Sequence, residues 1–249
     1  MVTMPERADA GIVFALPIEA GRFADRVKDV RRIEAAGLAL CQGMLHDRLV
    51  AWVVGGVGSE RAARACRLLL DGHRPRLVIS AGFAGALAAD IERGTLVAPQ
   101  TAVRIGADAI QLASAESATA GRRLTIITVD HVASTVGEKQ QLAADTGADV
   151  VDMETWAVAQ AALEAGVPCR CLRVVSDAAA DALPPEITRL TEAASPWRRL
   201  GAALRTVGSR PAAAADLWKL YERAVVDSRS LADALEREVT SLRLAPPAA

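Results

Sequence analysis

Features that assign many proteins to a functional class are missing from this sequence. Its 249 residues carry a formal net charge of −1, so the charge gives no reason to expect a nucleic-acid partner. No uninterrupted apolar run is long enough to span a bilayer, and charged residues precede the first apolar segment. We therefore expect a soluble, cytoplasmic protein.

Cysteine is also scarce, with four residues at Cys41, Cys66, Cys169 and Cys171. The last two lie two positions apart on a predicted strand, where they share a face but are too far apart along it for a disulfide. No neighbouring His or Cys pair completes a metal motif. We predict buried free thiols and no metal site.

The residues that are present favour a single α/β domain. A chain of this length with 51% hydrophobic residues can bury a substantial core. Helices are predicted after Pro17, from an N-cap at Ser59 to a stop at Gly72, and over 154–165. Strands are predicted at 11–15, 49–54, 76–80, 95–98, 124–128, 148–151 and 169–175. This alternation predicts a sheet covered by helices on both faces.

The C-terminal part differs from this body, and we divide the chain into a domain over 1–190 and a helical extension over 191–249 packed on the same domain. Arg210 and Pro211 are predicted to separate two helices. An amphipathic helix packed on the body or on a partner subunit is favoured, while Trp218 and the interspersed arginines keep membrane-surface contact as an alternative. Apolar residues recur at helical spacing at Leu217, Leu220, Tyr221, Ala224, Leu231, Leu235, Val239 and Leu242.

Two glycine-rich segments are candidate ligand loops. The first, 55–58, follows a predicted strand but lacks the spacing of a dinucleotide-binding motif and the lysine of a P-loop. The second, 81–86, also follows a strand, and its small residues would let a ligand approach the backbone closely. From the glycines alone, a structural turn and a binding loop are equally supported for this second segment.

The most informative motifs are VDMETWA at 151–157 and LRVVSD at 172–177, which put carboxylates at strand ends beside helices. Acidic residues at a helix start also suit its dipole, so a structural role is the alternative. Together with GIVFALPIE at 11–19 and SAGFAGA at 80–86, these motifs resemble the purine nucleoside phosphorylase and methylthioadenosine/adenosylhomocysteine nucleosidase superfamily. The resemblance covers most of residues 11–187. At 94–97 it continues with Thr95 in place of the family's usual aspartate.

The resemblance implies a three-layer phosphorylase/nucleosidase-like α/β fold with a central mixed, partly barrel-like sheet, in a homodimer or larger homo-oligomer. It also implies three catalytic residues. Asp177 would be the general acid at purine N7, oriented by Ser176. Glu154 would bind the ribose hydroxyls and counter the positive charge of the sugar. Glu19 would hold the attacking water.

The same resemblance implies the residues that border the substrate, a small-molecule nucleoside. Met153 would pack beneath the sugar, and Phe83, Ala84 and Gly85 would border sugar and base. Val132 stands where the family often has an aromatic residue that stacks on the base, so this contact is weakened. Phe83 is a candidate substitute.

A narrower similarity is to the hopanoid-associated nucleoside phosphorylases. It concerns 151–154, 173–177 leading to 182–185, and 209–211 with the leucine-bearing helix that follows. These enzymes remove adenine from adenosylhopane in hopanoid biosynthesis. A generic nucleosidase for 5′-substituted adenosines is an equal alternative. A catalytically silent nucleoside-binding protein is a third, although the intact Glu19, Glu154 and Asp177 speak against it.

The acceptor of the ribosyl group is the other open question. Phosphorylases of the family carry phosphate-binding arginines after the first strand and before the glycine turn, where this sequence has 16–19 and Ile79. Arg22, Arg31 and Arg32 are alternative phosphate ligands, including across a subunit boundary. The residues therefore favour hydrolysis, with phosphate kept as a possible co-substrate.

Overall fold

The computed structural model describes residues 7–115, 122–183 and 211–242, in which eleven strands form one sheet and five helices surround it. Pro184, Pro185 and the predicted helix before Pro211 lie outside these residues. The strands are β1 Ala10–Phe14, β2 Lys28–Ala35, β3 Leu38–Leu45, β4 Arg48–Val54, β5 Val78–Ala86, β6 Leu96–Val97, β7 Thr101–Val103, β8 Ile110–Gln111, β9 Thr125–Thr128, β10 Val150–Asp152 and β11 Cys169–Asp177. The helices are α1 Pro17–Ala24, α2 Ser59–His73, α3 Val136–Thr146, α4 Thr155–Glu164 and α5 Pro211–Thr240.

The sheet is mixed and branches at β5. Its main path runs β2-β3-β4-β1-β5-β10-β9-β7-β8, while β11 pairs with β5 and β6. β1 and β11 run parallel to β5, and β10 runs antiparallel to its last residues. β1 pairs with the first residues of β5, β11 with nearly its whole length and β10 with its last two residues. The chain that follows each of these strands reaches the cavity beside the C-terminal half of β5.

Both faces of the sheet are covered, as the sequence predicted. On one face α2 and α4 bury Cys66, Leu69 and Val158 against the sheet. On the other face α1 and α5 bury Phe23 and Leu231. The fold is the predicted three-layer α/β arrangement with a central mixed sheet and a helix at its C-terminal end.

The C-terminal helix α5 is fastened to the body by apolar and ionic contacts. Leu235 and Val239 are fully buried. Arg26, just after α1, donates to Glu236 at 2.7 Å and also pairs with Asp233. The side chains of Leu217, Leu220 and Tyr221 lie outside the described residues, and the boundary at residue 190 stays a prediction.

Some local predictions are wrong, either in the residue at which a helix begins or ends or in the type of secondary structure. Gly58, not Ser59, is the N-cap of α2. Gly72 does not end that helix, because it continues to His73 and Arg74 takes the left-handed conformation at φ 43°. The segment 80–86 is not a turn but the strand β5, whose backbone pairs along its length with β11.

The hairpin of β2 and β3 has no counterpart among the predicted strands. Seven of the eight β2 residues are exposed and the eighth is half-buried, so no buried face produces an alternating apolar pattern. All four cysteines are free, and Cys66, Cys169 and Cys171 are buried as predicted, whereas Cys41 is only half-buried. In the described part of the chain, no helix is long and apolar enough to cross a membrane.

Candidate active site

A cavity of about 250 Å³ opens beside the C-terminal half of β5. The ends of β1 and β11 reach it because both strands run parallel to β5. The chain after β10 runs back along β5 and completes the wall. The structure brings all nine predicted site residues together around this cavity: Glu19, Phe83, Ala84, Gly85, Val132, Met153, Glu154, Ser176 and Asp177. Their individual roles stay predictions.

Glu19 is buried at the start of α1 and is held by three backbone donors. Its Oε2 accepts hydrogen bonds from the N–H groups of Ala15 at 3.0 Å and Leu16 at 2.8 Å. Its Oε1 accepts from the N–H of Phe83 at 3.0 Å. Burial raises the pKa of Glu19, while the charge of Arg173 and the three donors act in the opposite direction. The carboxyl group is therefore fixed in one orientation.

Glu154 immediately precedes α4, and its Oε1 accepts from the N–H of Gly58 at 2.8 Å. Burial, reinforced by the nearby charge of Asp152, raises the pKa of Glu154 to about 8. Burial therefore favours the protonated form of this carboxyl group. A group that changes charge near physiological pH inside a cavity is a candidate for chemistry rather than for structure.

Asp177 ends β11 with both carboxyl oxygens engaged. Its Oδ1 lies 2.5 Å from the hydroxyl of Ser176. Its Oδ2 accepts from the ammonium of Lys139 at 2.5 Å. Lys139 comes from α3 and was not among the predicted site residues. The capping box of Thr135 and Glu138 was a signal in the sequence that could have located this helix.

A buried polar network lies behind the cavity and is centred on Arg173. Its Nη2 donates to Asp152 Oδ2 at 2.6 Å and to the hydroxyls of Ser80 and Thr155, each at 2.9 Å. Asp152 also accepts from the hydroxyl of Thr128 at 2.7 Å. Burial lowers the pKa of Arg173, but Asp152 and the other acidic groups more than offset this, so it stays charged. The sequence motifs contained Arg173 and Asp152 but did not identify this pairing.

Two glycines of β5 leave space for charged side chains of the site. A Cβ atom on Gly82 would lie 2.6 Å from both Glu19 Oε1 and Arg173 Nη1. A Cβ atom on Gly85 would lie 2.9 Å from Asp177 Oδ2. Both distances are shorter than real contacts, so side chains there would displace the carboxyl groups. The small residues of this segment therefore make room for the charged groups of the site.

The cavity is also lined by charged side chains that were not among the predicted site residues. Arg93 donates from Nη2 to Asp227 Oδ2 at 2.7 Å, which links the turn before β6 to α5. Burial raises the pKa of Asp227 to about 6, although Arg93 opposes the shift. Arg223 also lines the cavity. In contrast, Arg22 pairs with Asp25, outside the cavity.

The two other arginines proposed as phosphate ligands also lie elsewhere. Arg31 and Arg32 are exposed on β2, and Arg32 pairs with Glu34 at 2.7 Å. The prediction that they reach the site within one chain is wrong, because β2 is at the far edge of the sheet. Among the described lining residues, Phe83 supplies a phenyl ring and His131 an imidazole ring, and Val132 contributes only an aliphatic wall. The described residues contain no group of three or more side chains arranged to hold a metal ion.

Comparisons with known proteins identify the family and the fold. A family model described as the phosphorylase superfamily matches residues 9–111 and 107–196. A 5′-methylthioadenosine/S-adenosylhomocysteine nucleosidase of Oceanobacillus iheyensis is 31% identical over 99 residues, which are 40% of this chain and 43% of that protein. The corresponding Haemophilus ducreyi protein is 32% identical over 87 residues, 35% of this chain and 38% of that protein. Each alignment thus spans less than half of the relative.

Solved structures share the fold over nearly the whole chain. A Helicobacter pylori MTAN mutant with 5′-methylthioadenosine in its active site superposes with a TM-score of 0.73 at 18% identity, covering 94% of this chain and 99% of that one. Futalosine hydrolase of Helicobacter pylori gives a TM-score of 0.72 at 17% identity, covering 97% and 100%. At these identities the similarity establishes the common fold alone.

Proposed function

We propose that this chain, which belongs to the phosphorylase superfamily, cleaves the adenine N-ribosyl bond of a 5′-substituted adenosine. The observation that carries the proposal is that Glu19, Glu154 and Asp177 line one cavity, each held by different partners. Three carboxyl groups in three environments can take three different roles in one reaction. The proposed enzyme is cytoplasmic and homo-oligomeric.

The chemistry of the bond explains the need for these groups. Departure of a purine is easier if N7 is protonated, and the sugar then passes through an oxocarbenium-like state. Asp177 would donate the proton, because it is the carboxyl group beside Ser176 at the strand end. Glu154 would bind the ribose hydroxyls and, when ionised, stabilise the positive sugar. Met153 would provide an adaptable apolar surface beneath the ring.

The acceptor that the site favours is water. Glu19 is buried and firmly oriented, and a carboxylate beside the nucleophile repels phosphate unless positive charge offsets it. Arg173 lies close by but is already paired with Asp152. Phosphorolysis remains a second candidate because Arg93 and Arg223 also line the cavity. Neither route needs a metal or an organic cofactor, and phosphate is a co-substrate only in the second.

The walls of the cavity favour an apolar 5′ substituent. Leu16, Val57 and Leu183 line it, and α5 adds Ala224. Such walls suit a hydrocarbon group, as in adenosylhopane, and they support a role in hopanoid biosynthesis. Methylthioadenosine and adenosylhomocysteine are the generic alternative. α5 could also contact the membrane surface from which a hopanoid substrate would come.

The decisive experiment is an adenine-release assay with purified protein. It compares 5′-methylthioadenosine with adenosine bearing a long alkyl or polycyclic 5′ group. We expect higher kcat/KM for the bulky group, since each buried methylene contributes up to about 0.8 kcal/mol. Equal or lower efficiency would reject the hopanoid substrate and leave the generic nucleosidase. Binding of all nucleosides without adenine release would identify a catalytically silent binding protein.

A further inference from the structure

Lys139 is a buried charge that the chemistry above does not use. Its side chain is 0% exposed, and its Nζ reaches three acceptors. These are Asp177 Oδ2 at 2.5 Å, the carbonyl of Ala178 at 2.7 Å and the carbonyl of Asp181 at 2.9 Å. An ammonium group has three protons, so this geometry satisfies the charged form completely.

Apolar packing of α3 does not explain why this lysine points inward. Lys139 is the buried residue of α3, and every other residue of that helix is at least partly exposed. A buried ammonium is costly unless it is paired and fully hydrogen-bonded. Its side-chain partner is Asp177, a residue that lines the cavity. The position of Lys139 is therefore tied to the carboxyl group that faces the substrate.

The contact also distinguishes the two oxygens of Asp177. Oδ2 is occupied by Lys139, which leaves Oδ1 beside the hydroxyl of Ser176. That hydroxyl has one proton and two acceptors within reach, Oδ1 at 2.5 Å and the carbonyl of Ala84 at 3.2 Å. When the hydroxyl donates to Ala84, Oδ1 can carry the acid proton and donate to Ser176. Oδ1 is then the atom that delivers a proton to an arriving base.

We infer that Lys139 is a positioning residue for this acid, an inference that rests on the proposed function. The proton on Asp177 Oδ1 moves to purine N7 while the C1′–N9 bond breaks and its electron pair passes into the base. The carboxylate that remains is stabilised by the ammonium of Lys139, which keeps its own protons. The water that adds to C1′ releases a proton, which restores the acid form of Asp177.

The test compares two leaving groups in wild type and Lys139→Met. The purine of 5′-methylthioadenosine needs protonation, whereas 4-nitrophenyl riboside loses nitrophenolate without it. We expect kcat/KM of the variant to fall about 100-fold with the nucleoside and less than about 3-fold with the nitrophenyl riboside. Asp181→Asn is the matched control, since Asp181 Oδ2 accepts from the N–H of Ala178 and supports the same turn. It should leave both rates within about 3-fold of wild type.

Equal losses on the two substrates, or no loss with the nucleoside, would overturn the inference and leave Lys139 a structural anchor. A double-mutant cycle gives an independent answer if the nitrophenyl riboside is not turned over. Adding Lys139→Met to Asp177→Asn should then lower kcat/KM with the nucleoside only slightly. Fully additive losses of kcat/KM would contradict the inference. Lys139→Gln replaces the Met variant if thermal unfolding shows that the latter does not fold.

The outcome also separates this inference from the proposed function. Wild-type protein that releases adenine from no nucleoside rejects both. Adenine release by wild type together with an unaffected Lys139 variant rejects the positioning role alone.

Discussion

At the scale of single residues, Glu154 allows a prediction of how kcat/KM depends on pH. Its pKa is raised to about 8, so it becomes ionised only as the pH rises past that value. Because the proposed role of the ionised form is to stabilise a positive sugar, we expect kcat/KM of the free enzyme to rise with pH and level off above about pH 8. Glu154→Gln should lower kcat/KM and abolish the rising limb. A limb that persists in the variant would belong to another group.

Asp177 allows a second prediction at this scale. Asp177→Asn keeps the size and hydrogen bonding of the side chain but removes the proton donor. Turnover should fall by about 10²–10⁴-fold with little change in KM. Ser176→Ala, which removes only the orienting hydroxyl, should have a smaller effect. Near-normal turnover of Asp177→Asn, measured by adenine release, would exclude this carboxyl group from the reaction.

At the scale of elements, α5 carries a buried acid whose ionisation costs stability. The pKa of Asp227 is 3.8 when unperturbed and about 6 in the fold, mainly because of burial. The folded state therefore binds this proton more tightly than the unfolded state. The contribution of Asp227 to the free energy of unfolding is greatest at low pH and declines as the pH rises from about 4 to about 6.

Asp227→Asn tests this contribution. We expect the difference in free energy of unfolding between about pH 4 and pH 7 to change by roughly 2 kcal/mol relative to wild type, in the direction that favours the variant at pH 7. Chemical denaturation at both pH values measures it. Asp233→Asn on the same helix is the control, because Asp233 is 53% exposed. A pH dependence identical in wild type and Asp227→Asn would be incompatible with the shifted ionisation.

The sequence predicted most elements that have a strong apolar signal, but it missed β3, in which Leu40 and Leu45 are buried. Elements without such a signal were also missed. α2 has an apolar stripe and β11 an apolar run, and both were located to within a few residues. β2 is exposed and α3 buries a lysine, so neither has an apolar face to detect. The segment 80–86 was wrongly predicted as a turn because glycines are typical of turns. In the structure these glycines lie in a strand, at positions where carboxyl groups approach the backbone closely.

The residues of the candidate site also fall into a predicted group and a missed group, and the difference again has a physical reason. The nine predicted residues come together because each lies within a few positions of a strand end or a helix start, and these ends lie close to one another beside β5. Lys139, Arg93 and Asp227 come from elements whose placement depends on tertiary packing. No local pattern in the sequence indicates which distant carboxyl group such a side chain will meet.

At the scale of the whole molecule, the acceptor can be decided from the products. With a carboxylate at Glu19 and Arg173 already paired, we expect free ribose and a rate independent of added phosphate. Chromatography of the sugar product measures this directly. Ribose 1-phosphate that increases with added phosphate would instead support phosphorolysis. In that case Arg93→Gln and Arg223→Gln should weaken the phosphate dependence, whereas Arg32→Gln, on the far edge of the sheet, should not.

The contact between α1 and α5 has a consequence for how the protein is made. Arg26 and Glu236 are 210 positions apart in the chain, and the helix that contains Glu236 also supplies Arg223, Ala224 and Asp227 to the cavity. A ribosome delivers these parts at widely separated times. Until α5 emerges, the nascent chain exposes Phe23 and the apolar surface that α5 will cover. The body therefore exposes apolar surface during translation, and the walls of the cavity are complete only after α5 has docked.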